Sequence, residues 1–175
     1  MERGFTLVEV IVAMLILVIG LVGLLGVFTQ ALVVVSFAQE DMIAKQKARE
    51  ALESIYTARN TQEITFDQVK SVSAAGIFLD GLQPLRQAGA DGLIGTADDG
   101  DVEVLRLPGR DGLLGTADDE IRTLTNFRRQ VSFDPVIIGG VASPDIRRLT
   151  VTVQYTTARG FPRRYQVQSY ISRFR

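Results

Sequence analysis

The sequence predicts an α+β fold: a long N-terminal helix, apolar in its first half and amphipathic in its second, packed on a C-terminal antiparallel β-sheet. Three observations carry this reading. Residues 5–38 form an apolar run with a single charged side chain, Glu9. Residues 39–60 keep apolar side chains at helical spacing among charged ones, and the last third alternates apolar and polar residues with a period of two. A chain of 175 residues divided this way leaves enough for one modest core beyond the apolar run.

Within the apolar run, Val10 to Phe28 contains no charged or strongly polar side chain. As a helix, Phe5 to Phe28 spans roughly 36 Å at about 1.5 Å per residue, enough to cross a bilayer. Core helices of soluble proteins seldom run this far without a polar face. A cleaved secretory signal does not fit, because Arg3 and Gly4, the charge and the small residue, both precede the run. A cut there leaves the hydrophobic helix on the mature chain. A carboxylate near the centre of a spanning helix costs about 2.5–3.5 kcal/mol and less toward the interface, so Glu9 needs a partner, a use or access to water. Cleavage after Gly4 would create a partner by freeing the amino group of Phe5 four residues away. The alternative is an interfacial Glu9 pointing to water. Gly20, Gly23 and Gly26 recur every third residue. They allow either close packing of membrane helices or a soft segment, since Gly costs about 1 kcal/mol relative to Ala within a helix.

From Gln39 to Asn60, Ala44, Ala48, Ala51, Leu52, Ile55 and Tyr56 repeat at helical spacing, and Asp41 with Lys45 and Arg49 with Glu53 stand as i,i+4 pairs. The helix is expected to end near Arg59-Asn60-Thr61 with Asn60 as a left-handed cap. Its apolar stripe is expected to pack on the sheet. In that sheet Leu149, Val151, Val153 and Tyr155 alternate with Thr and Gln, and Tyr165, Val167 and Ile171 line one face of a following strand. Residues 158–162 supply a hairpin-length loop, and an earlier strand includes Phe127 to Phe133.

Charge is uneven: residues 1–79 sum to −2, 80–120 to −7 and 121–175 to +8. Much of the acidic middle is an internal repeat. Residues 91–99, DGLIGTADD, return as DGLLGTADD at 111–119, identical at eight of nine positions. Asp91, Asp98, Asp99, Asp111, Asp118 and Asp119 crowd like charges into Gly-rich turns. Three readings stand: calcium held by carboxylates and carbonyls, solvated turns, or pairing with the basic end of the chain. The spacing is not that of an EF-hand, since Leu93 and Gly95 fall where ligands belong. Both copies are expected to face outward.

The chain contains no Cys and no His. Thiolate and imidazole chemistry, Ser-His-Asp triads and His-ligated zinc are therefore excluded, and no enzyme is expected. Arg128, Arg129, Arg147, Arg148, Arg163 and Arg164, interleaved with Phe161, Tyr165 and Tyr170, could contact nucleic-acid phosphates, with Arg147, Arg148, Arg163 and Arg164 the leading candidates. Strand arginines are ordinarily a solvated face and no nucleic-acid motif accompanies them, so DNA is not an expected partner.

The stretch Gly4-Phe5-Thr6-Leu7-Val8-Glu9-Val10 and the apolar run after it resemble the class III signal of type IV pilins and type II secretion pseudopilins. The final pair of strands is similar to minor pilins of the PilV and GspI types, and the absence of Pro before Pro84 favours a minor pilin or pseudopilin. The resemblance implies a pilin-like fold, with residues 1–4 as leader, 5–38 as transmembrane and assembly helix, 39–60 as its amphipathic continuation and 61–175 as the head. It implies cutting after Gly4 by a prepilin peptidase, N-methylation of Phe5 and an assembly role for the Glu9 carboxylate. The implied partners are other pilin subunits, the inner-membrane assembly platform and membrane lipid before assembly. The implied location is the cytoplasmic membrane, single-pass with the head outside the cytoplasm, and then a periplasmic or cell-surface filament. Pilus, secretion and DNA-uptake systems, or a calcium-binding adhesive tip on the same stalk, are all compatible with these residues.

Overall fold

The structure, a computed structural model, describes residues 4, 6–157 and 159–174. The chain divides into two units, Met1–Gln39 and Glu40–Arg175. One helix, α1 (Leu7–Asn60), supplies most of the first unit and opens the second. Its start is capped by Thr6, whose Oγ1 accepts the Glu9 amide at 3.3 Å. An uncapped start would leave that donor unpaired. Through the apolar run the side chains stay exposed, from Leu7 at 77% to Val35 at 55%. A stretch of α1 is long and apolar enough to cross a membrane, and none of that stretch is buried within the chain.

In the second unit α1 becomes amphipathic as expected. Ala44, Ala48, Ala51 and Ile55 are fully buried, while Leu52 and Tyr56 are half-buried. Small residues line this face of the helix, and the core it shares with the sheet is filled from the sheet by Leu149, Val151 and Val153. Asp41 and Lys45 form their i,i+4 pair at 2.6 Å. No ion pair joins Arg49 and Glu53 among the described residues; the neighbouring pair is Lys47 with Glu50 at 2.7 Å. The helix does end at Asn60, but the left-handed residue is Gln62 (φ 69°), not Asn60. The last turn is prolonged by Thr61, whose amide and hydroxyl both donate to the Thr57 carbonyl at 2.9 and 3.0 Å, so the reversal falls two residues later.

The sheet that α1 covers has four antiparallel strands in the order β1-β4-β5-β6: β1 (Gln83–Pro84), β4 (Phe127–Ile138), β5 (Val141–Thr156) and β6 (Pro162–Ser172). Register places Val131, Val151 and Val167 in one row and Phe133, Leu149 and Ser169 in the next. These rows share the helix-facing side. The other side carries polar rows such as Gln130, Thr152, Gln166 and Ser132, Thr150, Gln168, with Thr150 and Thr152 of the central strand buried between their neighbours. Tyr56 fastens α1 to β6 through its hydroxyl, 2.6 Å from Ser169 Oγ and donating to the Tyr170 carbonyl at 2.7 Å. Strands β4 and β5 run beyond the expected limits and join at Gly139-Gly140, both with positive φ (60° and 83°). That two-residue turn matches the right-handed twist of the flanking strands and is open to glycine at little cost.

A separate two-stranded ribbon, β2 (Val104–Leu107) with β3 (Glu120–Thr123), is antiparallel and in register from Val104↔Thr123 to Leu107↔Glu120. The second copy of the repeat is the loop at its end. The first copy lies between Arg86 and Val102, which also form an antiparallel bridge, so both copies close a pair of extended segments.

Candidate functional site

At the N-terminus the structure places Gly4 ahead of the helix, exposed, and Phe5, the expected cleavage product and methylation position, lies outside the described residues. Glu9 sits in the first turn of α1, where a carboxylate is favoured by the helix dipole. Thr6 and Glu9 stand in the S/T-x-x-E spacing of a capping box; the Thr6 half of that box is formed. Among the described residues no side chain pairs with the Glu9 carboxylate, and its neighbours along the helix are Val10, Ala13 and Leu17. Thr6 was not singled out from the sequence, although the Thr-x-x-Glu spacing before an apolar run signals it.

Gly20, Gly23 and Gly26 are helical, and among the described residues a Cβ at any of them would meet nothing within 4 Å beyond the adjoining residues and the helix's own backbone. Nothing inside the chain therefore requires glycine there; any close approach these positions permit is to another molecule.

The two acidic loops share one internal geometry. Asp91 Oδ1 accepts the Leu93 amide at 2.8 Å, as Asp111 Oδ1 accepts that of Leu113. Asp99 accepts the Gly95 amide at 2.9 Å and Asp119 that of Gly115 at 2.7 Å. The hydroxyls of Thr96 and Thr116 donate to Asp98 and Asp118, both at 2.7 Å. Those hydroxyls hold the Asp98 and Asp118 carboxyls below the usual carboxylate range, whereas burial pushes Asp99 up. Gly95 and Gly115 both take φ 90°, a conformation that favours glycine. The carboxylates are thus spent on the loops' own donors. Among the described residues no three acidic side chains stand close enough to share a metal ion, and none of the six aspartates forms an ion pair.

The expectation that both loops face outward is corrected by the structure. The first copy turns inward: Leu93 and Ile94 are buried at 1% and 2%, the Gly95 carbonyl accepts the Leu79 amide at 2.7 Å, and Gly95 lies against Val131 and Phe78. The second copy presents Leu113 and Leu114 to solvent at 63% and 65%.

Of the candidate arginines, Arg147, Arg148, Arg163 and Arg164 are not brought together. Adjacent strand residues face opposite sides of a sheet. Arg147 lies on the helix side, its guanidinium 3.9 Å from the centre of the Phe66 ring and donating to the Val69 carbonyl at 3.1 Å. Arg148 lies on the other side, 3.1 Å from Asp134. Arg163 pairs in register with Tyr155 and Arg164 with Gln154, again on opposite sides.

Arg129, also a candidate for phosphate contact, is buried instead, together with Glu103 and Glu40, two acids that the sequence did not single out. Arg129 (3% exposed) stands 3.6 Å from Glu103, which also pairs with Lys47. Glu40, at the start of the second unit, is 3.3 Å from Arg122. These pairs tie α1 to the segments around β2, β3 and β4.

Against known protein families, residues 1–25 match the prokaryotic N-terminal methylation motif. The chain carries the N-terminal signal of type IV pilins and pseudopilins. No curated protein and no solved structure matches the chain. The signal supports the type IV pilin and pseudopilin class, implies assembly with other pilin subunits in a filament, and together with the single apolar helix is consistent with membrane anchoring. The long helix on an antiparallel sheet is a pilin-like α+β architecture.

Proposed function

We propose that the chain is a minor type IV pilin or pseudopilin, a structural or priming subunit rather than an enzyme. A prepilin peptidase cuts after Gly4 and the new Phe5 terminus is methylated. The subunit then waits in the cytoplasmic membrane with its head outside the cytoplasm until the assembly platform moves it into a filament. The observation that supports this most is Glu9: a carboxylate with no partner among the described residues, on a helix whose surrounding side chains are apolar and exposed. In lipid such a group is costly unless paired. The Phe5 ammonium of a neighbouring subunit supplies the opposite charge at a similar helix depth, which fixes the axial register of helices that otherwise slide on interchangeable surfaces. The test is Glu9→Ala in the native host. Cleavage after Gly4 should persist, read by N-terminal analysis of the membrane fraction, while incorporation into filaments is lost. A mature chain that still begins at Met1, or normal incorporation of Glu9→Ala, would overturn the reading.

A further inference from the structure

A groove of about 920 Å³ opens on the second unit between the segment that follows α1 and the first acidic loop. Its floor includes Ile64, Val72 and Leu93, and its rim carries Glu63, Asp91 and Asp98. Ile64 and Leu93 are buried, Val72 is 51% exposed, and the three acids are exposed. The site therefore combines an apolar base with a ring of negative charge.

The same unit displays a feature of opposite character. The turn between β5 and β6 holds Phe161 at 60% exposure, with Arg159 before it and Arg164 after it, both exposed. The Thr157 amide donates to the Phe161 carbonyl at 3.0 Å, the Phe161 amide donates to Thr157 Oγ1 at 3.1 Å, and Gly160 takes φ 82°. An exposed aromatic ring flanked by guanidinium groups is an amphipathic knob that loses little conformational freedom on docking.

The knob and the groove lie at opposite ends of the unit. Strand β6 runs alongside the second half of α1, with Tyr165 near Lys45 at its start and the Ser172 and Arg173 carbonyls accepting from Arg59 at its end. The β5–β6 turn is thus at the Lys45 end, while Glu63 and Ile64 follow the helix end at Asn60. Along the helix axis Lys45 and Asn60 are about 22 Å apart at about 1.5 Å per residue. Complementary patches at opposite ends of one unit make a heterologous, head-to-tail contact, and repetition of such a contact generates an open filament.

We propose that the acidic groove of one copy receives the Arg159–Phe161–Arg164 turn of a second copy of this chain. The proposal rests on the filament reading and names where neighbouring heads meet. Charge decides the occupant. Of the other exposed apolar loops, Leu113-Leu114 is ringed by Asp111, Asp118 and Asp119 and would be repelled by the rim, and the Ile137-Ile138-Val141 hairpin tip carries no cation to meet it; the β5–β6 turn joins an apolar ring to guanidinium groups and is attracted to the rim.

The chain has no cysteine, so the contact can be tested by disulfide trapping in the full-length protein held in detergent micelles. Phe161→Cys and Val72→Cys chains, mixed and mildly oxidised, should give the mixed dimer in preference to either homodimer. A chain carrying both substitutions should give a ladder of dimers, trimers and larger species. Arg159→Glu with Arg164→Glu should weaken the ladder by about tenfold, the effect of roughly 1.4 kcal/mol on an equilibrium constant, and added salt should weaken it in the parent. Absence of the mixed dimer, Phe161→Cys homodimers in equal yield, or a ladder indifferent to the Glu substitutions would overturn the contact. The N-terminus of the chain recovered from native membranes is read separately: a ladder with an unprocessed Met1 keeps the contact and removes the filament reading, and a methylated Phe5 without the mixed dimer does the reverse.

Discussion

Leu93 and Leu113 occupy the same place in two copies of one loop, yet Leu93 is 1% exposed and Leu113 is 63% exposed. The local hydrogen bonds are shared, so the difference comes from what each loop is laid against: Phe78 and Val131 for the first, solvent for the second. Leu93→Ala should therefore lower stability by about 2–5 kcal/mol through lost burial and the cavity left behind, whereas Leu113→Ala should stay within about 0.5 kcal/mol. Denaturant unfolding of the two variants, followed by the same probe, checks the contrast.

Glu103 lies between two cations that are largely withdrawn from water, Arg129 and Lys47. Removing it leaves the Arg129 charge buried without its counter-ion. Glu103→Ala should cost about 3–5 kcal/mol, against less than about 1 kcal/mol for Glu50→Ala, which removes a half-exposed partner of the same lysine. Burial alone would lower the Lys47 pKa, but the hydrogen bonds to Glu103 and Glu50 outweigh it and raise the value. A raised lysine contributes stability that is fully present below the ordinary lysine value near ~10.4 and is lost as pH rises through the folded value. The alkaline loss of stability should accordingly be smaller in Glu103→Ala, measured by thermal melting across that range.

Thr96 is buried and its hydroxyl donates to Asp98. Replacing it with Val keeps the shape and deletes the donor, so the Asp98 pKa should rise toward the ordinary carboxylate value. A lowered carboxyl contributes stability that is present above its unfolded value near ~3.9 and lost as pH falls through the folded one. Thr96→Val should remove that portion of the acid dependence, with the Asp98 titration followed by carboxyl-carbon NMR.

Millimolar calcium should leave the melting temperature unchanged. Asp91, Asp98, Asp99 and their counterparts already accept bonds from amides and hydroxyls of their own turns, and a bound ion would have to replace those donors with six to eight oxygens. A calcium-dependent rise in melting temperature would show that the loops rearrange to bind it.

Much of this arrangement is written in local sequence pattern. The uninterrupted apolar run, the Ala and Ile spacing of residues 44–55 and the Val/Thr alternation of β5 each depend only on periodicity, and each is realised. The extent of β4 and β5 was missed because Pro135 and Pro144 interrupt the strand pattern, although Gly139-Gly140 between Ile138 and Val141 is a hairpin signal. The fates of the two loops were not legible at all. Eight of nine residues agree, and only the tertiary neighbours of Gly95 decide that one copy turns inward. Nor does spacing along the chain show that Glu103, just before β2, meets Lys47 on α1 and Arg129 on β4, because the three lie far apart in sequence.

Thr6 and Glu9 are linked by a hydrogen bond at the start of α1, and this makes Thr6 a positioning residue for the carboxylate proposed to act in assembly. The Thr6 hydroxyl satisfies the Glu9 amide; without it, that donor is left open at the start of a helix long and apolar enough to cross a membrane, and in lipid an unsatisfied amide costs several kcal/mol, so the first turn frays to find water. On the proposed assembly, fraying would move Glu9 away from the depth of a neighbouring subunit's amino terminus. Thr6→Ala should therefore speed hydrogen exchange at the Glu9 amide in micelles and reduce filament incorporation, while Thr6→Ser, which keeps the acceptor, should restore both. Exchange that quickens with incorporation unchanged would mean that the cap serves the helix alone and that Glu9 finds its partner without it.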